Sequence, residues 1–209
     1  MRIMLPGTVK EMSTIIAVCG GDFCLMAADS RMVVNSDGAG WEIYSDDAKK
    51  IFKIGNILFG VIGKLWKDEV MTAPFVGYNN MDIYNTLDIL EKYAMNNMLH
   101  IYDYPRNYIL CGQERDGKYI IVVLKFNAEK HGFDREVYRP PNKDDFASVL
   151  ALPPSLVDRV DEFDKRLERE VRASNSKDEM KNRLTNLIRK IGKEDVQHTV
   201  GGKVQFLMI

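Results

Sequence analysis

Short apolar runs separated by turn residues fill the first third of the chain. Ile15 to Cys19 and Phe23 to Ala28 flank Gly20-Gly21-Asp22, while Lys49 to Ile54 and Ile57 to Ile62 flank Gly55-Asn56. Runs of this length, rich in β-branched and aromatic residues and joined by a glycine turn, predict two β-hairpins. A polar stretch, Asn35 to Trp41, separates them and contains Ser36-Asp37-Gly38. A third hairpin is predicted where Tyr108 to Cys111 and Lys118 to Phe126 flank Arg115-Asp116-Gly117, and a closing strand at Lys203 to Ile209 follows Gly201-Gly202.

Two regions carry a different period. From Asp82 onward, Ile83, Leu87, Leu90, Ala94 and Met98 recur at steps of four, three, four and four. That is one stripe of an amphipathic helix, running to about His100 and stopping before Pro105. After Pro153-Pro154 come Leu156, Val160, Phe163, Leu167 and Val171, then Met180, Leu184, Leu187 and Ile191. Ala173 to Ser176 breaks these into two helices, and Ser176 with Glu179 three residues later matches an N-terminal capping box. Hairpins, a helix, a hairpin, two helices and a last strand predict an α+β fold with antiparallel sheets and segregated helices. Two stacked sheets with a helix layer on each outer face, a four-layer αββα sandwich, would bury every stripe. No internal repeat or low-complexity segment is present.

Composition narrows the function classes. With 209 residues, 45% hydrophobic and 28% charged, the chain is expected to fold as one domain. A formal net charge of -1 removes the general electrostatic reason to expect nucleic acid or an acidic membrane as partner. The longest apolar runs are far below the roughly 18 residues of a membrane helix, and residues 1–12 lack the apolar segment of a secretory signal, so the expected address is cytoplasmic. Cys19, Cys24 and Cys111 lack metal-ligand spacing and sit among apolar residues, which reads as buried thiols in a reducing compartment. His100, His131 and His198 have no paired spacing, and neither a G-x-S-x-G elbow nor a phosphate-binding P-loop occurs. No metal or organic cofactor is implied.

The chemistry that remains is in the N-terminal block. Ser13-Thr14-Ile15-Ile16-Ala17-Val18, the Gly20-Gly21 turn and Leu25-Met26-Ala27-Ala28-Asp29-Ser30-Arg31 resemble the opening of proteasome β-type subunits and their HslV-like bacterial relatives. In that family of N-terminal nucleophile (Ntn) hydrolases the nucleophile begins the mature chain and an acidic residue follows sixteen residues later, the spacing from Ser13 to Asp29. The resemblance continues at Asp47 to Ile54, matching the strand with the family's active-site lysine, and at Phe59-Gly60-Val61-Ile62-Gly63, matching its oxyanion glycine strand. It implies the αββα fold over residues 13–209, Ser13 as nucleophile, Asp29 as acidic partner, Lys50 as the lysine and Gly60 as oxyanion donor. It also implies peptide substrates, a homo-oligomeric ring and an ATP-dependent unfoldase as partner.

Physical chemistry gives these residues the same roles. A hydroxyl needs a base, and a chain that begins at Ser13 offers its own α-amine, which titrates near pH 7.7–8.0 when unperturbed. A Lys50 ammonium beside it favours the alkoxide-like state, and Asp29 holds that ammonium in place. Residues 1–12 then read as a propeptide or an unprocessed N-terminal extension. Met12 precedes Ser13 where self-processing members place Gly, so translation from Met12 followed by methionine removal would expose the amine.

The end of the chain departs from the pattern. Aligned on Gly201-Gly202, the positions for a supporting Asp and Ser hold Gln197 and Val200, while Asp195 and Thr199 fit only if the register slips. The family's Ser-Gly segment before the paired helices has no clean counterpart, and Ser148 in Phe146-Ala147-Ser148 is the candidate for it. Besides a peptidase, two readings stay open: a non-catalytic structural subunit of the same fold, and a small-molecule amidase of the wider Ntn superfamily.

Overall fold

A computed structural model describes residues 13–35, 40–63, 72–76, 82–96 and 106–209. The extension expected at residues 1–12 and the end of the first helix beyond Asn96 lie outside the described residues. Eleven strands are described: β1 (Ile15–Cys19), β2 (Cys24–Asp29), β3 (Met32–Asn35), β4 (Trp41–Ser45), β5 (Ile51–Ile54), β6 (Ile57–Gly63), β7 (Arg106–Gln113), β8 (Tyr119–Asn127), β9 (Gly132–Tyr138), β10 (Ala147–Ala151) and β11 (Val204–Met208). The helices are α1 (Ile83–Asn96), α2 (Val160–Arg172) and α3 (Lys177–Glu194), with a 3-10 turn at Pro154–Arg159 leading into α2.

The strands form one sheet of order β10-β1-β2-β11, a second of order β5-β6-β7-β8-β9, and the separate β3-β4 hairpin. All pairings are antiparallel. Alternation along the strands then creates three apolar layers. Ile15, Ala17, Met26, Leu58, Ile109 and Ile121 fill the space between the sheets. Ile16, Val18, Leu25 and Ala27, on the opposite face of β1 and β2, meet Phe163, Leu167, Leu184, Leu187 and Ile191 of α2 and α3. Phe52, Phe59, Leu110 and Val122 meet Ile83, Leu87 and Leu90 of α1. Each fully buried side chain of this size contributes about 1.5–3 kcal/mol, so both faces of both sheets are firmly covered. The fold is the expected α+β αββα sandwich.

Several details depart from the sequence expectation. The stretch around Asn35 to Trp41 is flanked by β3 and β4, and β4 is exposed along its middle with no clean apolar period. β9 and β10 were likewise without a signal, because β9 is an edge strand of mixed polarity and β10 is five small and apolar residues. Ser176 caps α3 by accepting the Glu179 N–H at 3.1 Å, but the returning Glu179 carboxylate takes the N–H of Asn175.

The cysteine expectation is corrected in part. All three are buried, but Cys19 and Cys24 form a disulfide and only Cys111 is free. The hairpin explains the bond. Cys19 and Cys24 are directly opposite in the β1–β2 register with their Cα atoms 4.2 Å apart, within reach of a cross-strand bridge.

Candidate active site

Register places the sequence-predicted residues at one end of the sandwich. The β1–β2 pairing continues past Ile15↔Ala28 to Thr14 and Asp29, where the Asp29 N–H donates to the Thr14 carbonyl. Ser13 is the next residue outward and is 3% exposed. On the other sheet, Lys49 and Lys50 alternate as a strand requires: Lys49 is exposed and lies over the Phe52 ring, whereas Lys50 turns inward and is 1% exposed.

The inward lysine meets Asp29. Lys50 Nζ lies 2.8 Å from Oδ1 and 2.9 Å from Oδ2. Asp29 Oδ1 also accepts the Thr14 N–H at 2.9 Å, while Oδ2 accepts the N–H groups of Arg31 at 3.1 Å and Gly201 at 3.2 Å. Asp29 thus binds the Ser13–Thr14 peptide and the Lys50 ammonium through the same oxygen. Burial pulls the Lys50 pKa below the usual lysine value, and the Asp29 charge and hydrogen bond oppose that shift.

A second buried acid closes the same end. Asp195, which follows α3, accepts from Ser155 Oγ at 2.5 Å and the Gln197 N–H at 3.1 Å on Oδ1. On Oδ2 it accepts from the Thr199 N–H at 2.6 Å, Thr199 Oγ1 at 2.7 Å and the Val200 N–H at 3.0 Å. Burial pushes its carboxyl upward, but these hydrogen bonds outweigh it and hold the pKa below the usual value. Ser155 reaches this position because β10 runs antiparallel to β1 with Ala151 opposite Ile15, so the residues after β10 return toward Ser13.

Arg31 joins the two acids to the β3–β4 hairpin. Its guanidinium pairs with Asp46 at 2.7 and 3.2 Å and donates to the His198 carbonyl at 3.3 Å. The Gly201-Gly202 pair is needed for this closeness. A Cβ on Gly201 would lie 2.5 Å from Arg31 Cζ, and one on Gly202, where φ is +72°, would lie 2.5 Å from Ser30 Oγ. Gln205 of β11 adds a clamp across the sheets, donating to the Ala48 carbonyl at 2.6 Å and accepting the Lys50 N–H at 3.4 Å.

No protein-family model matches the chain, and no curated protein matches its sequence. Solved structures do match in fold. The Anbu (Gly-1) mutant from Hyphomicrobium sp. strain MC1 aligns with a TM-score of 0.60 at 12% identity, over 94% of this chain and 81% of that one. Thiobacillus denitrificans BPH in complex with epoxomicin aligns with a TM-score of 0.59 at 12% identity, over 94% of this chain and 97% of that one. The fold is that of the proteasome-like Ntn hydrolases. At 12% identity the likeness does not single out the HslV kind.

Within this Ntn fold, the two glycines of β6 occupy different settings. The Val61 N–H donates to the Lys50 carbonyl at 3.1 Å, so odd-numbered residues of β6 bond toward β5 and even-numbered ones toward β7. Gly60, opposite Ile109 of β7, therefore spends its N–H on the sheet ladder. Its Cα faces Ile15 and Met26, where an added Cβ would sit 3.0 to 3.2 Å from their side chains. Gly63 ends the strand with φ +108° and, by the same alternation, turns its N–H toward the β5 side, past Lys50, where the β5–β6 ladder has stopped.

Sequence reading thus located Ser13, Asp29 and Lys50 at one end of the fold. It placed the oxyanion donor at Gly60, which pairs opposite Ile109 in the β6–β7 ladder, and Gly63 lies three residues further along the same motif. It also held Asp195 and Thr199 only as a shifted register. Ser148 is paired opposite Val18 along β10, away from the β1 start that Ser155 approaches. The signal for Ser155 was its place after Pro153-Pro154, where the chain must turn from β10 into α2.

Proposed function

We propose that this chain is a proteasome-like peptidase subunit in which Ser13, as the first residue of the mature chain, supplies both the nucleophilic hydroxyl and its base. The observation that carries this reading is the buried Lys50–Asp29 pair bonded through Thr14 N–H to the peptide that follows Ser13. Once residues 1–12 are absent, the Ser13 α-amine takes the proton of the Ser13 hydroxyl, and the hydroxyl oxygen attacks a peptide carbonyl. The Lys50 ammonium disfavours a second positive charge nearby, which keeps the amine in its neutral, proton-accepting form near neutral pH.

The oxyanion role passes from Gly60 to Gly63, whose N–H is directed beyond the ladder beside Lys50. Such a donor contributes about 3 kcal/mol to acyl-transfer transition states. Asp195, with Ser155 and Thr199, orients the polar loop around Ser13 and adds negative potential that supports the protonated amine in the intermediate. The substrates are peptides, and the working form is a homo-oligomeric ring served by an ATP-dependent unfoldase.

The near-complete burial of Ser13 favours a second reading, a structural subunit that keeps the fold without turnover. One experiment separates the two. Protein beginning at Met1 and protein beginning at Ser13 are each incubated with a hydroxyl-directed β-lactone and a fluorogenic peptide panel, with intact mass as readout. The peptidase reading expects one adduct on Ser13 and peptide hydrolysis in the Ser13-start protein alone. Absence of both in a folded Ser13-start chain establishes the structural reading. Ser13→Ala should lose the adduct and the activity together.

A further inference from the structure

The three cysteines come from two sheets and meet at one point. Cys19 is on β1, Cys24 on β2 and Cys111 on β7, and their sulfur atoms all lie within 4.8 Å of one another. Each is fully buried among the apolar side chains between the sheets, including Ala17, Met26, Ile109 and Ile121. Cys19 and Cys24 are bonded, and Cys111 stands beside that bond as a free thiol.

The surroundings distinguish what such a cluster can do. A soft metal held by three sulfurs would place net negative charge in this apolar layer, at a large desolvation cost. Exchange of a disulfide with a thiol leaves reactants and products neutral, so neither resting state bears such a cost, and the thiolate is needed only during opening. Burial alone pushes the Cys111 thiol up, so it stays protonated in the closed protein. Access comes from the hairpin tip. Gly21 and Asp22, two and three residues from Cys19, are exposed, and cavities of about 300 and 540 Å³ flank this turn.

We propose that Cys19, Cys24 and Cys111 form a three-sulfur redox site, in which one disulfide is shared among three positions and a low-molecular-weight thiol is the reductant. In the exchange step, Cys111 thiolate attacks Cys24 Sγ. A Cys111–Cys24 bond forms, the Cys19–Cys24 bond breaks, and the departing Cys19 sulfur takes the proton that Cys111 gave up. No net oxidation occurs, and the product ties β7 covalently to β2, one sheet to the other. In reduction, two molecules of the small thiol give up two electrons and two protons, leaving Cys19 and Cys24 as thiols and the reductant as its own disulfide. Opening of the hairpin tip sets the rate, so exchange takes minutes to hours.

The test uses the full chain purified in air without reductant. Thiol titration in denaturant should find one free thiol, and non-reducing peptide mapping should find Cys19–Cys24, with a Cys111-linked species growing after incubation with a trace of small thiol. Cys24→Ala, treated with an oxidised small thiol, should form Cys19–Cys111. Cys111→Ala should keep Cys19–Cys24 and lose about 4–8 °C in Tm on reduction, as expected for a short closed loop in a domain of this size. Three free thiols in the air-purified wild type would overturn the proposal, as would a stoichiometric soft metal on them. A folded Cys24→Ala protein that remains a dithiol under oxidant would remove the shared-disulfide step.

Discussion

The Lys50 ammonium and the Asp29 carboxylate make a two-point contact of 2.8 and 2.9 Å with both side chains 1% exposed. Water does not screen this pair, so its partners are mutually dependent in a way that surface ion pairs are not.

The two halves of the pair are unequal. Asp29 carries three backbone N–H groups besides Lys50, so Asp29→Ala strands an ammonium and three donors. Lys50→Met leaves a carboxylate that keeps its three N–H partners. Breaking a buried pair costs about 3–5 kcal/mol, and Asp29→Ala should fall at or above the top of that range with Lys50→Met below it. Urea unfolding of both variants measures the order, and a more damaging Lys50→Met would contradict the asymmetry.

Asp195 sets an acid limit. Its folded-state pKa is held below the ordinary carboxylate value of 3.8, so it binds protons less readily folded than unfolded. Its contribution is therefore fully present above the unfolded pKa and lost as pH falls through the lowered folded value. Asp195→Asn should be less stable than wild type at pH 7 and should approach it in strongly acidic buffer. Parallel stability curves from pH 7 downward would show that the carboxylate is not the group responsible.

Gly60 and Gly63 should fail differently. Gly60→Ala crowds Ile15 and Met26, an overpacking that costs about 1–3 kcal/mol. Its turnover should survive wherever the protein is folded. Gly63→Ala bends a φ of +108° that side chains rarely adopt and shifts the N–H proposed for the oxyanion, so turnover should drop about 10²-fold or more. Comparing kcat with the urea midpoint for each variant separates the two effects.

Gly202→Ala should disturb the hairpin base. The new Cβ would meet Ser30 Oγ at 2.5 Å and the Asp46 carbonyl at 2.6 Å, and φ is +72°. A loss of about 1–3 kcal/mol is expected, together with faster proteolysis within residues 30–46. Limited digestion followed by mass mapping reads both the site and the rate of cleavage.

Much of this was legible from periodicity and spacing. The hairpins ending in Ala28 and Ile62 read as continuous apolar runs because β1, β2 and β6 are buried on both faces, and the stripe from Ile83 to Ala94 reads as helical because α1 buries one face. β4 and β9 bury little, so their sequences have no reason to alternate cleanly. Lys50 could be chosen over Lys49 only by knowing which face of the strand turned inward. Asp195 lay hidden because its loop is wound by backbone donors from Gln197 to Val200, and that winding changes the distance to Gly201 without leaving a motif. Ser155 is local to no partner in sequence, since forty residues separate it from Asp195.

Asp29 also binds Gly201, and β2 is flanked by β11 as well as by β1. The first and last strands of the fold are therefore neighbours of the same central strand. During synthesis, the residues around Ser13 emerge long before the segment that completes their surroundings. A ribosome-bound chain halted before residue 200 has neither the Gly201 donor nor the Gln205 clamp, so the order of translation itself delays a finished site until residues 201 to 205 have emerged.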